Sequence, residues 1–518
     1  MIFLVIPGDL MEFLYIPLDE RPCNVYYPQI IAELQADVRL TVPPRALLSQ
    51  KKQPAKTGRL WDWLEKNITD CQAALLSIEM LVYGGLLPSR LHQESVSTLT
   101  QRLHHLRQLK AEHPQVEIFA SNLIMRTPAY SSSEEEPDYY ETCGEQIFQW
   151  GWLQDKCQRV GLTVAEQAQL DHIQAELPSQ YLQDYQNRRA CNVAVNLAVI
   201  ELVQAGVISF LSIPQDDSAP YGFTAIDQRQ VVAQVTALCL QQQVHLYPGA
   251  DEVGCTLLAR AYNQVRDRPP QIYLLYSSVC SEQIVPLYED RPLGESVKAH
   301  VLAAGAQVVS TSEAADVVLA VNTAGQVMQE AWDQSIKDIT YASFRNLRFF
   351  VAEIERLQQS GKWVAIADVA FANGGETELV QMLDAAALWD SLLAYAGWNT
   401  SCNTLGTVLA TASLGLGSEN QRALAFNKIY HLLEDWAYQS IVRKSIIEIC
   451  LPHLGASYYD FNCQEALITQ TIAEQLLSVW CETLQQSFTS WDIQQLSVFA
   501  PWQRMFEMGL NLEIALAE

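Results

Sequence analysis

The sequence predicts an α/β protein built on a mostly parallel sheet, and three observations carry that reading. Short apolar, β-rich runs recur along the chain with helical stretches between them, the pattern of βαβ units. Several of those runs pass directly into polar and often acidic residues. Beyond about residue 411 the β-rich runs stop and the pattern turns helical.

The runs lie at 13–18, 38–42, 73–78, 116–125, 207–213, 244–247, 272–276, 317–321, 364–367 and 392–396. Between the third and fourth, Leu99, Leu103, Leu106 and Leu109 form one helical stripe, with Ser95 or Ser97 placed to cap it. A second helix runs through 191–205. Ten runs exceed the eight strands of a closed β/α barrel, so the fold is either barrel-like with peripheral strands or two α/β units. Arg-Asp-Arg-Pro-Pro at 266–270 is a natural seam, because consecutive prolines stop regular structure. The expected organisation is an N-terminal α/β domain over 11–265 carrying most of the acidic motifs and a second α/β unit over 271–410. A mainly helical region, rich in Leu, Trp and Gln, occupies 411–518. At the start, residues 2–9 are loosely echoed by 13–19 after a second methionine. Two readings stand there: an extra edge strand, or translation from Met11.

Composition bounds the function. Of 518 residues, 49% are apolar and 18% charged, as in globular proteins. A formal net charge of −26, with no Lys/Arg cluster to offset it, repels phosphate backbones and anionic lipid, so neither nucleic acid nor membrane is an expected partner. A small-molecule substrate, neutral or cationic, fits better; the oligomeric state is not encoded in any motif. The twelve cysteines include no C-x-x-C pair, so neither a zinc site nor a disulfide framework is expected. The apolar start lacks a basic leader and is too short to span a bilayer, which points to the cytoplasm.

Ligands of parallel α/β folds gather at the carboxyl ends of strands, so the residues after each run are the candidates. The sharpest are Gln215-Asp216-Asp217 and Asp251-Glu252. Two neighbouring carboxyls repel as anions, so one can stay protonated beside an ionised partner, which is what glycoside cleavage needs. Asp216, Asp217, Asp251 and Glu252 are therefore the catalytic candidates, although Asp251-Glu252 also suits the first turn of a helix over 253–262. Asp19, Arg21, Tyr83, Arg90, Arg126, Tyr221, Asp368, Asn373, Trp398 and Asn399 are candidates for holding substrate. Trp398 either stacks on a sugar face or packs in the core, and the Ser/Glu run at 131–136 reads as a solvated loop. No G-x-S-x-G elbow, P-loop or H-E-x-x-H is present and histidine is scarce.

Taken in order, Leu18-Asp19-Glu20-Arg21-Pro22, Tyr83-Gly84-Gly85-Leu86-Leu87-Pro88-Ser89-Arg90, Met125-Arg126-Thr127-Pro128, and the segments 131–139, 214–222 and 397–406 resemble the bacterial family DUF4127, over roughly residues 12–411. The resemblance implies a common architecture and a shared site and supplies no reaction. Glu79 stands where the family pattern has aspartate, and Gly375-Glu376 where it has Ala-Asp. The residues themselves suggest a glycoside-hydrolase-like enzyme acting on a small saccharide with paired carboxylates, and no cofactor. The alternatives are a hydrolase using a divalent metal on Asp19, Asp216 and Asp251, or a protein that binds a small molecule without turning it over.

Overall fold

In the computed structural model, which describes residues 10–517, the chain forms two parallel sheets and no closed barrel. Both readings of residues 2–9 lie outside the described residues. The first sheet contains β1 (Met11–Ile16), β2 (Val38–Thr41), β3 (Ala73–Ser77), β4 (Glu117–Ser121), β5 (Phe210–Gln215) and β6 (Val244–Pro248) in the order β2-β1-β3-β4-β5-β6. The second contains β7 (Gln271–Tyr276), β8 (Gln307–Val309), β9 (Val317–Thr323), β11 (Trp363–Val369) and β13 (Ala394–Ala396) in the order β8-β7-β9-β11-β13. A two-residue pair, β10 (Gln329–Glu330) with β12 (Phe371–Ala372), lies beside it. Both sheets share one winding: the first strand sits inside, the second at the edge, and the third on the other side of the first. Each therefore has a switch point, between β1 and β3 and between β7 and β9, where a crevice opens at the carboxyl ends.

Every one of the ten β-rich runs forms a strand. The central ones are apolar without alternation because helices cover both faces; all five residues of β3 and all seven of β9 are buried. The leucine stripe forms two helices, Val96–Arg102 and His104–Glu112, with all four leucines buried and the Ser95 hydroxyl accepting from Thr98 N at 3.2 Å. The helix read at 191–205 is longer, Ser179–Gln204. Among the described residues no cysteine is paired, and no helix is long and apolar enough to cross a membrane.

One apolar core runs from Phe13 and Tyr247 through Val317 and Ile366 to Leu432 and Ile472, joining both sheets to the C-terminal region. Its axle is the helix Ser401–Gly415, in which every residue is buried. Gly406 lets it approach the helix Val253–Val265, since a Cβ there would overlap the Glu252 side chain. The helix Ser401–Gly415 runs straight across residues 410 and 411, so no break in structure separates the second sheet's unit from the C-terminal region.

The C-terminal region is helical over Gln421–His431, Leu432–Val442 and Glu465–Thr483, and then forms an antiparallel hairpin, β14 (Trp491–Phe499) with β15 (Gly509–Leu516). The hairpin escapes a sequence reading because β14 shifts register between Ile493 and Gln495, which breaks the two-residue alternation that marks a strand. β8 escapes it for a different reason: it is three residues long and lies at a sheet edge.

Candidate functional site

The carboxyl ends of the two sheets face a shared cavity of about 160 Å³. The first unit supplies Arg21 after β1, Arg90 after β3, Arg126 after β4, Asp216 and Asp217 after β5, and Asp251 after β6. The second supplies Tyr288 after β7, Asn373 after β11 and Asn399 after β13. The C-terminal region closes the cavity with Tyr458, Tyr459, Arg504 and Phe506.

Four arginines are held among carboxylates here. Arg21 donates Nε to Asp19 at 2.8 Å and spans Asp251 with both terminal nitrogens, while Asn24 donates to Asp19 at 2.9 Å and to Asp251 at 3.2 Å. Arg90 and Arg126 each donate to Glu135 at 2.9 Å, and Arg504 bonds its other oxygen. Burial opposes ionisation of Glu135, yet Arg126, Arg504 and Arg90 outweigh it and hold the carboxyl well below the usual range. Arg126 Nε binds Glu136 at 2.9 Å. The guanidinium carbons of Arg21 and Arg504 both lie over the indole of Trp502, 4.7 and 4.5 Å from its ring centroid. Buried charges survive only when paired in this way, and each guanidinium is fixed by the fork geometry of its carboxylate partners.

The vicinal pair differs from the rest of this network. Asp216 accepts from Arg90, whereas Asp217 has a longer contact, 3.3 Å from Arg126. Burial and then the charge of Asp216 push the Asp217 carboxyl up to about 6, against the pull of Arg126 and Arg90. Its side chain keeps 28% of its exposure, so the carboxyl faces the cavity. Its backbone is left-handed, φ +41°, as are those of Tyr288 (+68°), Asn373 (+59°) and Asn399 (+61°). Asp and Asn enter this region at modest cost, but a tyrosine does so rarely. Strained positions from several loops thus gather on one cavity, held by Asn373 N donating to Asn399 O at 2.9 Å. Glu330 clamps them from behind, accepting from Asn373 Nδ2 at 2.8 Å and from the Tyr288 hydroxyl at 2.6 Å.

Of the residues singled out from sequence, Arg21, Arg90, Arg126, Asp216, Asp217, Asp251, Asn373 and Asn399 line the cavity, and Asp19 sits directly behind Arg21. The other five do not line it. Glu252 occupies the N-terminal junction of the helix Val253–Val265 without capping it; its carboxylate turns back to accept from Ala250 N at 2.9 Å. Its other oxygen lies 3.5 Å from His300 Nε2, and burial pushes the Glu252 carboxyl up. Tyr83 is buried against His92 on the far side of Arg90. Tyr221 packs outside, edge-on to Trp152 and under Arg159. Trp398 is a core residue, edge-on to Tyr27 and Phe506. Asp368 is sealed in the second unit, accepting from Asn322 at 2.8 Å, Glu376 N at 2.7 Å and Tyr395 at 3.1 Å.

The run at 131–136 is no solvated loop: Glu135 and Glu136 are the centre of the arginine network, and Glu136 is fully buried. Its partners come from segments as distant as Arg504, which no local pattern reveals. Tyr130, Tyr288 and Tyr459, exposed by 49, 45 and 41%, ring the cavity mouth and carry no sequence motif. Their one distinguishing signal is the exposure of a large aromatic ring, which only the folded chain displays. The three carboxylates named for a metal are separately engaged, Asp19 and Asp251 by Arg21 and Asp216 by Arg90. Among the described residues no three His, Cys, Asp or Glu side chains are grouped as a cation requires.

Fold and site together define a two-unit α/β protein with a cavity between the carboxyl ends of both sheets, walled by paired carboxylates, arginines and tyrosines. A family model described as "Protein of unknown function (DUF4127)" matches residues 13–511, nearly the whole chain, and the chain belongs to that family. The match extends past residue 411 into the helices and hairpin that close the cavity. No curated protein matches the chain.

Glu79 and Gly375-Glu376, read from sequence as departures from the family pattern, both have local partners. Glu79 is a buried clamp between β3 and β4, accepting from Asn122 at 2.8 Å and Leu123 N at 2.7 Å. Glu376 pairs with Arg345, and the preceding Gly375 leaves room for the Tyr395 hydroxyl, with which a Cβ would collide.

Proposed function

We propose that the protein is a hydrolase acting on a small saccharide, with Asp217 as general acid and Asp216 as the carboxylate that orients the substrate. The observation that supports this is the adjacent pair itself: both side chains line one cavity, one bound by an arginine and the other raised to about 6. Adjacent residues on one loop form one wall, so they do not flank a glycosidic bond as the two carboxylates of an ordinary pair do. The arrangement suits an N-acetylhexosamine, whose own acetamido oxygen attacks the anomeric carbon. Asp217 then gives its proton to the departing glycosidic oxygen, Asp216 holds the acetamido N–H, and water opens the resulting ring with Asp217 as base. Tyrosines at the mouth supply faces for the sugar, and Asn373, Asn399 and the arginines supply donors to its hydroxyls.

The test is turnover of a glycoside panel by the native protein and by the single variants Asp216→Asn and Asp217→Asn. The reading predicts losses of roughly 10²- to 10⁴-fold in each, the range for positioned acid–base groups. Undiminished turnover of a responsive glycoside in either variant removes that residue from the mechanism. Tight binding of a saccharide with no product after long incubation makes this a binding protein instead.

A further inference from the structure

The cavity does not end at its mouth. A wider groove of about 940 Å³ adjoins it and shares Glu134 and Tyr459 with its lining. The two are divided by Trp502, which faces Arg21 and Arg504 of the cavity and also lines the groove. Trp502 and Gln503 are consecutive non-glycine residues with left-handed backbones, φ +58° and +53°. Each such residue costs on the order of 1–3 kcal/mol unless its surroundings over-determine it. Here they do: the indole Nε1 donates to Glu20 at 2.6 Å, and Gln503 N donates to Ala500 O at 3.1 Å. This strained turn holds an aromatic wall at the junction of two spaces, packed on the cluster of Leu18, Leu86, Leu87, Leu123 and Ala250.

The groove is polar, with three glutamine amides, Gln50, Gln53 and Gln503, among charged side chains of both signs. Lys51 pairs with Glu134, Glu20 is held by Ser49, Lys51 N and Trp502, and Arg45, stacked on Phe499, and Asp460 also line the groove. The side chains of Gln50 and Gln53 line it from a tight turn whose backbones bond each other at 3.0 and 2.9 Å, and among the described residues their amides have no protein partner. Free amide groups are what the hydroxyls of a sugar ring recognise, by paired hydrogen bonds.

We infer that this groove is a second subsite, which takes the adjoining sugar unit of a substrate longer than one ring; the inference rests on the saccharide reading of the cavity. The experiment is a binding titration of mono-, di- and trisaccharides of hexoses and N-acetylhexosamines to the Asp217→Asn protein. It is repeated in the same background with Gln50→Ala and Gln53→Ala together, and separately with Trp502→Phe. The expected result is a gain of about tenfold in affinity from one unit to two, lost in the glutamine variant while single-unit affinity is kept. Trp502→Phe, which keeps a ring but removes the bond to Glu20, weakens two-unit binding by less. Single-unit binding with no gain from a second unit, or a gain the glutamine variant retains, overturns the subsite and leaves the saccharide reading standing. Failure of every saccharide to bind overturns both.

Discussion

The two α/β units share a winding order, yet their acidic strand ends have opposite fates. In the first, β5 runs into Asp216 and Asp217 and the carboxyls face a cavity. In the second, β11 carries Asp368 near its end, and a loop of Asn373, Gly374 and Gly375 leads to Glu376. There Arg345 reaches in to grip Glu376, Asn322 bridges the two carboxylates at 2.8 and 2.9 Å, and Tyr395 covers the rest. The first unit leaves Asp216 and Asp217 at the cavity; the second closes over Asp368 and Glu376 and presents only the uncharged Tyr288, Asn373 and Asn399. An acid after a strand is therefore not a site in itself. The two units differ in whether their own side chains seal the acid or leave a carboxyl facing open space.

That contrast can be broken from the buried side first. Arg345→Ala strands Glu376 in the interior, and removing one partner of a buried pair costs about 3–5 kcal/mol. The check is the denaturant midpoint, and a shift worth less than about 1 kcal/mol would show that the second unit is not locked as described. Next is the pH dependence of stability. Burial, above all, raises both Glu79 and Asp368 to about 7. Both are protonated in the fold and ionised in the unfolded chain between the ordinary carboxylate range and pH 7. The unfolded state binds fewer protons there, so stability is greatest at the acid end of that window and is lost as pH rises through about 7. Glu79→Gln keeps the acceptor for Asn122 and Leu123 and should flatten this fall by up to about 3 kcal/mol, read from unfolding at pH 5 and pH 8. An unchanged slope would mean that Glu79 ionises normally. The smallest effect is expected at Tyr221, which packs outside the cavity: Tyr221→Phe should leave ligand affinity within about twofold and stability within about 0.5 kcal/mol. A larger loss of affinity would place Tyr221 in the site after all.

The fold was legible because strand and helix leave periodic marks. Ten runs became ten strands, and the leucines from Leu99 to Leu109 became a buried helical face. The site was legible on the first unit, where Arg21, Arg90, Arg126 and Asp216-Asp217 come soon after strands, and there the resemblance to the family pointed to the same segments. It was illegible wherever the site depends on long-range closure. Glu135 looks like part of a solvated acidic run until Arg504, from the other end of the chain, is placed on it. Asp368 looks available at a strand end until Arg345 and Tyr395 close around it, and of the two readings of Trp398 the core one holds, with Tyr27 and Phe506 against its ring. The φ values of Asp217 and Tyr288 have no counterpart in composition at all.

The central claim is that the Asp217 carboxyl is held above the ordinary carboxylate range by burial and by the charge of its neighbour. Isotope-edited NMR of the aspartate side-chain carboxyls, titrated in the native protein and in Asp216→Asn, tests it directly. The account predicts that Asp217 titrates at about 6 in the native protein and moves toward the ordinary carboxylate range once the Asp216 charge is gone. Titration of Asp217 in the ordinary range in both proteins would contradict it.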